Sequence, residues 1–239
     1  MLVLALDTTT RGGSCALVDD AVVVREAAGD AVRPHGARLP GELMALLDAA
    51  RVPLDAVDLY AVATGPGSFT GLRVGIAAMQ GLAFAATKPL IGISTLDALA
   101  HMGAAPSSER AEGDAARPPI GRIATWVDAW RGEVYAALYE DGREVSPPTV
   151  GHPGVLLAGY GDAPIVFVGD GAATYADLIR ATSPAFRVAD PALPLLAATV
   201  ARLALGQARE GHRPPPHAIR PLYVRRPDAE LARDARVER

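Results

Sequence analysis

A glycine-rich segment has the clearest chemical potential of this chain. Residues 65–71 read Gly-Pro-Gly-Ser-Phe-Thr-Gly and connect a predicted strand to a predicted helix. Backbone N–H groups at the start of such a helix can bind an anion such as a phosphate group. The segment fits neither standard phosphate-loop pattern, because position 70 is threonine where G-x-G-x-x-G needs glycine and no Gly-Lys pair stands at the required offset. The alternative is a sharp turn whose glycines let two backbones approach closely, and the sequence leaves both interpretations open.

Two carboxylates at predicted strand ends form a second candidate site. Asp7 follows the apolar run of residues 2–6, and Asp128 ends a similar strand later in the chain. Carboxylates that face a cleft from strand ends can hold Mg²⁺ and phosphate, and Gly169 and Gly171 are further candidates for binding such a nucleotide. The alternative is that each aspartate caps the turn that follows it. That alternative gains weight because no further acidic cluster accompanies either aspartate.

The remaining motifs do not indicate catalysis. The five histidines form no i, i+4 pair on a helix, which a helical metal site would show, and Cys15 has no C-x-x-C partner. No Gly-x-Ser-x-Gly elbow is present. The sequence therefore predicts no catalytic and no metal-binding residue.

Composition limits the compartment and the partners. The 239 residues are 50% hydrophobic and have a formal net charge of −4, which excludes a disordered chain and argues against a chain-wide electrostatic grip on nucleic acid. A single cysteine excludes an intramolecular disulfide and is typical of a reducing compartment. The first residues lack the basic region of a signal peptide, and no apolar run reaches the ~18 residues of a membrane span. We therefore expect a cytoplasmic protein without membrane contact.

The predicted elements repeat. Each half begins with a strand ending in aspartate and a two-stranded hairpin, and continues with a strand, a glycine-rich loop and a helix. This repeat predicts a duplicated α/β unit with a mixed sheet in each half. Helices are predicted over 35–51, 72–87, 95–102, 172–182 and 192–210. The predicted divisions are a first half over 1–103, a flexible insertion over 104–119, a smaller second half over 120–190, and a returning helix with a Pro- and Arg-rich tail over 191–239.

The helix predicted over 72–87 is apolar on every side. One face has mainly small side chains, at Gly71, Gly75, Ala78, Gly81 with Leu82, and Ala85, and the other face has Leu72, Ile76, Met79 and Ala83. A helix that is apolar all round is normally buried, either within its own domain or partly by another subunit. Only Arg73 and Gln80 are long polar residues, too few for a solvated face. This shortage of polar cover favours burial of one face by a partner.

Several motifs together resemble one family. They are Leu4-Ala-Leu-Asp-Thr-Thr9, Thr64-Gly-Pro-Gly-Ser-Phe-Thr-Gly-Leu-Arg-Val-Gly-Ile76, Gly81-Leu-Ala83, Gly92-Ile-Ser-Thr-Leu96, Asp128-Ala-Trp-Arg-Gly-Glu-Val-Tyr135 and Pro221-Leu-Tyr-Val-Arg225. In these stretches the chain is similar to the bacterial TsaB (YeaZ) family. The resemblance implies the ASKHA fold, the actin, hexokinase and Hsp70 plan of two duplicated RNase H-like halves with mixed sheets, which agrees with the repeat.

The resemblance also implies a function and partners. It implies a non-catalytic scaffold or activator subunit that binds the catalytic paralogue TsaD, which transfers threonylcarbamoyl to adenosine in ANN-decoding tRNAs, with the ATPase TsaE joining the pair. ATP and metal are expected on those partners rather than on this chain, contact with tRNA is expected to be indirect, and the chain alone is expected to form a homodimer. The family interface uses the first two helices, which implies partner contacts by Leu39, Leu43, Leu46, Gly71, Arg73, Gly75, Ala78, Leu82 and Ala85.

Two departures from catalytic relatives agree with a non-catalytic role. TsaD-like proteins have a metal-binding His-x-x-x-His after the strand equivalent to residues 90–93, where this chain reads Ser-Thr-Leu-Asp-Ala-Leu over 94–99. Asp128-Ala-Trp-Arg131 places bulky side chains where kinase-like relatives have small ones beside phosphate. The alternatives are a small-molecule kinase or ATPase of the same fold acting alone, and an endopeptidase, for which no nucleophile–base pair is present.

Overall fold

The computed structural model describes residues 1–20, 22–104, 121–192 and 195–225. The first half of the chain contains β1 Leu2–Asp7, β2 Ser14–Asp19, β3 Val22–Ala28, α1 His35–Ala50, β4 Leu59–Gly65, α2 Phe69–Ala85, β5 Leu90–Ser94 and α3 Thr95–Ala104. The second half contains β6 Arg122–Asp128, β7 Val134–Glu140, β8 Arg143–Gly151, α4 Pro153–Ala158, β9 Ile165–Val168, α5 Asp170–Thr174, α6 Ala176–Thr182 and β10 Phe186–Val188, and α7 Ala197–Arg209 follows.

The two halves share one topology, which confirms the predicted duplication. The first sheet has the strand order β3-β2-β1-β4-β5 and the second β10-β9-β6-β7-β8. In the first, β1 pairs antiparallel with β2 and parallel with β4. In the second, β6 pairs antiparallel with β7 and parallel with β9. Each half therefore has a mixed sheet whose central strand ends in aspartate.

Alternating side chains of the first sheet build two separate cores. Leu4 and Leu6 point to one side of the sheet, where α1 and α2 cover them. Val3 and Ala5 point to the other side, where α3 and α7 pack. The period-two alternation of a strand requires this division, because successive side chains lie on opposite faces.

One hydrophobic core joins the halves. The cluster around α3 and α7 also contains Ile123 and Val168 of the second sheet. The hydroxyl of Tyr139 in β7 donates to the carboxylate of Asp97 in α3 at 2.6 Å. The start of α7 is attached to the first sheet, since the Ala197 N–H donates to the Ser14 hydroxyl at 3.1 Å. The arrangement is a stack of layers in which α3 and α7 lie between the two sheets.

Several predicted boundaries differ from the structure. Helix α2 begins three residues earlier than predicted, because the Ser68 side chain accepts from the Gly71 N–H and caps the helix there. The helix predicted over 172–182 is two helices, α5 and α6, which are interrupted at Tyr175. The helix predicted over 192–210 is confined to α7, and helix α4 and strand β10 were not predicted.

Parts of the predicted divisions lie outside the described residues. These are residues 21 and 120, residues 105–119 of the insertion, residues 193–194 of the helix predicted over 192–210, and the end of the tail, 226–239. Among the helices of the described ranges, none combines the length and apolar character needed to cross a bilayer.

Candidate functional site

The end of β1 forms the first part of the site. Asp7 is only 3% exposed, and its carboxylate accepts hydrogen bonds from the backbone N–H of Thr9 at 2.9 Å and from the Thr9 hydroxyl at 2.6 Å. Burial raises the pKa of Asp7, while the hydrogen bonds from Thr9 oppose that rise. The capping role considered for Asp7 is therefore present: its side chain closes the turn that follows β1.

The glycine-rich segment packs against this turn. The Ser68 N–H donates to the Thr9 carbonyl at 2.7 Å, and a Cβ placed on Gly67 would come within 2.6 Å of that carbonyl oxygen. A Cβ on Gly71 or Gly75 would overlap atoms of Thr8. The glycines of this segment therefore allow close approach of α2 to the β1 turn, which is the second of the two interpretations left open by the sequence. The N–H groups of Ser68 and Gly71 are already donated within the chain.

A buried polar cluster fixes the same turn from α1. Arg38 is 4% exposed, and its guanidinium donates to the Gly12 carbonyl and forms an ion pair with Glu42. His35 Nε2 lies 3.1 Å from the Thr10 carbonyl oxygen. Burial, and after it the nearby Arg38 charge, lowers the pKa of His35. Sequence reasoning missed this cluster, although the i, i+3 and i, i+4 spacing of the three charged or polar side chains on one helix is a recognisable signal.

The end of β6 in the second half resembles the end of β1, because an aspartate accepts from a backbone N–H two residues later in both. The backbone N–H of Asp128 donates to Asp170 Oδ1 at 2.9 Å, and the Trp130 N–H donates to Asp128 Oδ1 at 2.9 Å. A Cβ on Gly169, where φ is +119°, would overlap the Trp126 carbonyl oxygen, so this glycine is required for close packing on β6.

Contrary to the expectation that no further acidic residues accompany either aspartate, Asp170 lies beside Asp128. The sequence prediction named the two neighbours of Asp170, Gly169 and Gly171, as candidates and did not include Asp170 itself. Burial raises the pKa of Asp170, hydrogen bonds from backbone N–H groups lower it, and the charges of Asp128 and Asp7 raise it further. Gly169 and Gly171 thus lie against the end of β6 near Asp128, and the charge of Asp7 at the end of β1 acts on Asp170 beside them. Among the residues that the structure describes, no group of three or more His, Cys, Asp or Glu side chains is placed to hold a metal ion.

The side of α2 that faces away from the first sheet is exposed and apolar. Phe84 is 81% exposed, and Ala77, Gly81 and Ala85 are exposed beside it. Met44 of α1, which packs on the same side of the first sheet, is 47% exposed. We call these five residues the outer face of α1 and α2. It is an apolar surface with open space above Gly81, where an added Cβ would have no neighbour within 4 Å.

The structure divides the residues expected at a partner interface into two sets. Five of them are buried within the chain itself: Leu39, Leu43, Leu46, Gly71 and Gly75. Their burial assigns them to the chain's own core and to the contact with Thr8, because an amphipathic α1 must cover the first sheet. The other four are exposed or half-buried: Arg73, Ala78, Leu82 and Ala85. Of the residues expected at the interface, these four remain accessible to a partner, and their contact with one stays a prediction.

A C-terminal strap, residues 211–225, crosses α2 and reaches the second half. Gln80 donates to the carbonyls of Pro216 and Ile219 at 2.9 and 3.1 Å. The Leu222 N–H donates to the Thr64 carbonyl at 2.7 Å. Arg225 then donates to a carbonyl of the turn after β6, at Ala129. The strap therefore joins α2 to the second half of the chain.

An aromatic and arginine cluster lies where the strap crosses the start of α2. The Arg73 guanidinium lies 3.8 Å from the centroid of the Phe69 ring, and its Nε donates to the Tyr223 hydroxyl at 3.0 Å. Phe69 and Tyr223 are 46% and 42% exposed. The sequence prediction named Arg73 without its two rings. Phe69 lies at the i−4 position of the same helix, which is a recognisable signal, whereas 150 positions separate Arg73 from Tyr223.

Comparisons with known proteins agree on one relationship. The family model described as TsaD, tRNA N6-adenosine threonylcarbamoyltransferase, matches residues 28–233. An uncharacterised protein of Mycobacterium tuberculosis is 35% identical over 95% of this chain and 93% of its own length. The Escherichia coli protein named tRNA threonylcarbamoyladenosine biosynthesis protein TsaB is 35% identical over 59% of this chain and 55% of its own. The crystal structure of YeaZ from Pseudomonas aeruginosa superposes with a TM-score of 0.72 at 28% identity, covering 93% of this chain and 99% of that one.

Two duplicated α/β halves, each with a mixed five-stranded sheet whose central strand ends in aspartate, define a protein of the ASKHA fold class. Within that class the relatives and the YeaZ structure decide the assignment. The chain belongs to the TsaB (YeaZ) family.

Proposed function

We propose that this chain is a non-catalytic subunit in the synthesis of threonylcarbamoyladenosine in tRNA. In this role it binds a TsaD-type catalytic paralogue and stabilises its active arrangement, and a TsaE-type ATPase joins the pair in the cytoplasm. The proposal follows the names of the bacterial relatives, which are biosynthesis proteins of this modification. Without its partner, the chain pairs with a second copy through the same surface.

The outer face of α1 and α2 is the observation that carries the proposal. Exposed apolar residues on one side of a helix, with a further one on the helix that packs beside it, are typical of a surface that another protein covers. Phe84 is four-fifths exposed, and Gly81 and Ala85 beside it have little side chain to keep a second helix at a distance. Such a surface favours close packing by a partner helix.

The ends of β1 and β6 support a non-catalytic role for this chain. To bind Mg-ATP, the carboxylates there and the N–H groups of the glycine-rich segment would have to be available to it. They do not fit well: Asp7 is buried and engaged with Thr9, the N–H groups of Ser68 and Gly71 are donated internally, and the bulky Trp130 follows Asp128. We propose that ATP and metal belong to the partner subunits.

Reconstitution tests the proposal. The purified chain is mixed with a TsaD-type partner, the mixture is fractionated by size, and threonylcarbamoyl transfer to an ANN-decoding tRNA is measured with and without this chain. We expect co-elution and a transfer activity that needs both proteins. Unchanged activity together with separate elution would reject the proposal.

A lone kinase or ATPase is the second candidate, and one observation favours it. The charge of Asp7 contributes to raising the pKa of Asp170, as expected for two carboxylates near enough to share a cation. Calorimetry of the isolated chain with Mg-ATP decides between the two: tight binding and turnover in the absence of any other protein would replace the subunit proposal.

A further inference from the structure

We propose that a basic surface binds a protein partner whose contact region has carboxylates around an apolar side chain, the apolar anchor. This basic surface consists of α2, the residues that follow it up to Lys88, and the C-terminal strap. The charge of the basic surface selects this partner over a second copy of the chain. This inference rests on the proposed function, because it specifies the chemistry of the partner that the outer face would bind.

Acidic residues are missing from both segments of this surface. The chain has 27 Asp and Glu, yet residues 59–96 and 211–225 contain none. The fold brings the two segments together, since Gln80 and Arg73 of α2 donate to the strap. A chain of net charge −4 thus has a locally positive region.

Three arginines of this surface are not neutralised by a carboxylate of the described residues. Arg73 donates to a phenol, and Arg213 and Arg220 donate to backbone carbonyls. In the parts of the chain that the structure describes, none of these three forms an ion pair with a carboxylate. By contrast, Lys88 lies 3.8 Å from Asp58, and Arg225 is paired with Glu133.

A groove at the end of α2 offers a place for the apolar anchor. It has a volume of about 670 Å³ and lies between the last turn of α2 and the proline run of the strap. Phe84, Ala85 and Pro214 are among its apolar lining residues, and Lys88 and Arg213 contribute its basic groups. An apolar side chain flanked by carboxylates would match both the lining and the charge of this groove.

A second copy of the chain matches this surface less well. In a two-fold dimer the same patch faces itself, so the arginines of one copy approach those of the other. Like charges that meet at an interface oppose association, whereas opposite charges assist it. Because salt screens both effects, salt should act on the two assemblies in opposite directions.

The decisive measurement is the dissociation constant of each assembly between about 50 and 500 mM NaCl. Binding to a purified TsaD-type partner is followed by interferometry and self-association by sedimentation. We expect the heterodimer to weaken by about tenfold over this range, while the homodimer is unchanged or becomes tighter. A heterodimer that forms with no salt dependence would overturn the charge inference and leave the proposed function intact. If no heterodimer forms at any salt concentration, both are overturned.

Charge reversal localises the effect. The double variant Arg213→Glu, Arg220→Glu should weaken the heterodimer about tenfold at low salt and much less at high salt. The control variant Arg143→Glu, Arg180→Glu makes the same charge change on exposed residues of the second half, and its affinity should match that of the parent. Equal losses in both variants would contradict the inference. Direct binding of tRNA by the isolated chain that only the first double variant loses would also contradict it, by making the occupant a nucleic acid.

Discussion

The two sides of α2 both contain small residues, but these residues have different roles on each side. On the inner side, Gly71 and Gly75 meet the turn after β1, where any side chain would overlap Thr8. On the outer side, Gly81 faces open space and Ala85 is exposed. Small residues on the inner side are therefore required by the fold of this chain. Those on the outer side are not required by it, which leaves them available to a partner.

The largest expected effect breaks the inner side. Gly75→Leu places a side chain on the Thr8 hydroxyl, and because Thr8 is fully buried it has no space to move aside. We expect the free energy of unfolding to fall by about 3 kcal/mol or more, measured by urea denaturation. Gly81→Leu on the same helix is the matched control and should be neutral or slightly stabilising, because leucine favours the helix more than glycine does. Equal losses in the two variants would remove the distinction between the two sides.

The outer side is tested by association rather than by folding. Gly81→Trp fills the open space above the helix, so we expect the free energy of unfolding to stay within about 0.5 kcal/mol of the parent. Binding to the TsaD-type partner should weaken by about 2–3 kcal/mol, because a bulky residue prevents close helix packing. Gly206→Trp is the control, since Gly206 on α7 is also exposed and has open space around it. Undiminished binding by the Gly81 variant would locate the interface elsewhere.

A smaller effect concerns the strap that borders the outer side. Gln80→Leu removes the donor to the carbonyls of Pro216 and Ile219. We expect a loss of about 1–2 kcal/mol in the free energy of unfolding and faster proteolysis within residues 211–225. Gln207→Leu on α7 is the control, because within the described ranges the Gln207 side chain makes no hydrogen bond. Protease resistance equal to that of the parent would show that Gln80 does not hold the strap.

The smallest expected effect is a pH dependence at the turn beneath the inner side. Burial raises the pKa of Asp7, so its contribution to stability is present at pH below about 3.8 and is lost as pH rises through the raised value. Asparagine can still accept the hydrogen bonds from Thr9 but does not ionise. The stability of Asp7→Asn relative to the parent should therefore rise as the pH increases from about 3 to 7. A pH-independent difference would show that Asp7 is not desolvated.

Much of the fold could be predicted from the sequence, because patterns among neighbouring residues indicate the same strands, turns and helices that the structure contains. The apolar run before Asp7, the tight hairpin turns and the repeated strand, loop and helix order are properties of neighbouring residues. They predicted the duplicated α/β unit with its mixed sheets. The break at Tyr175 was not predictable in this way, because residues 172–182 have no glycine or proline to mark it.

The candidate site was predictable only in part. Asp7 and Asp128 were recognised from their positions at strand ends, but the contact between Asp128 and Asp170 joins a strand end and a helix start whose residues are 42 positions apart. Tyr223 reaches Arg73 from the far end of the chain. No periodic pattern reports such contacts, since they depend on where separate elements are placed.

By itself the sequence determined the elements, their duplication and the apolar character of α2, because these follow from residue type and from spacing along one element. It also carried the motifs of the TsaB family. Only the tertiary structure decided which side of α2 is covered and which is open. In a helix that is apolar all round, hydropathy does not distinguish one face from another. Which face of α2 is buried therefore depends on the shape of the sheet and of the Thr8 turn against which the helix packs.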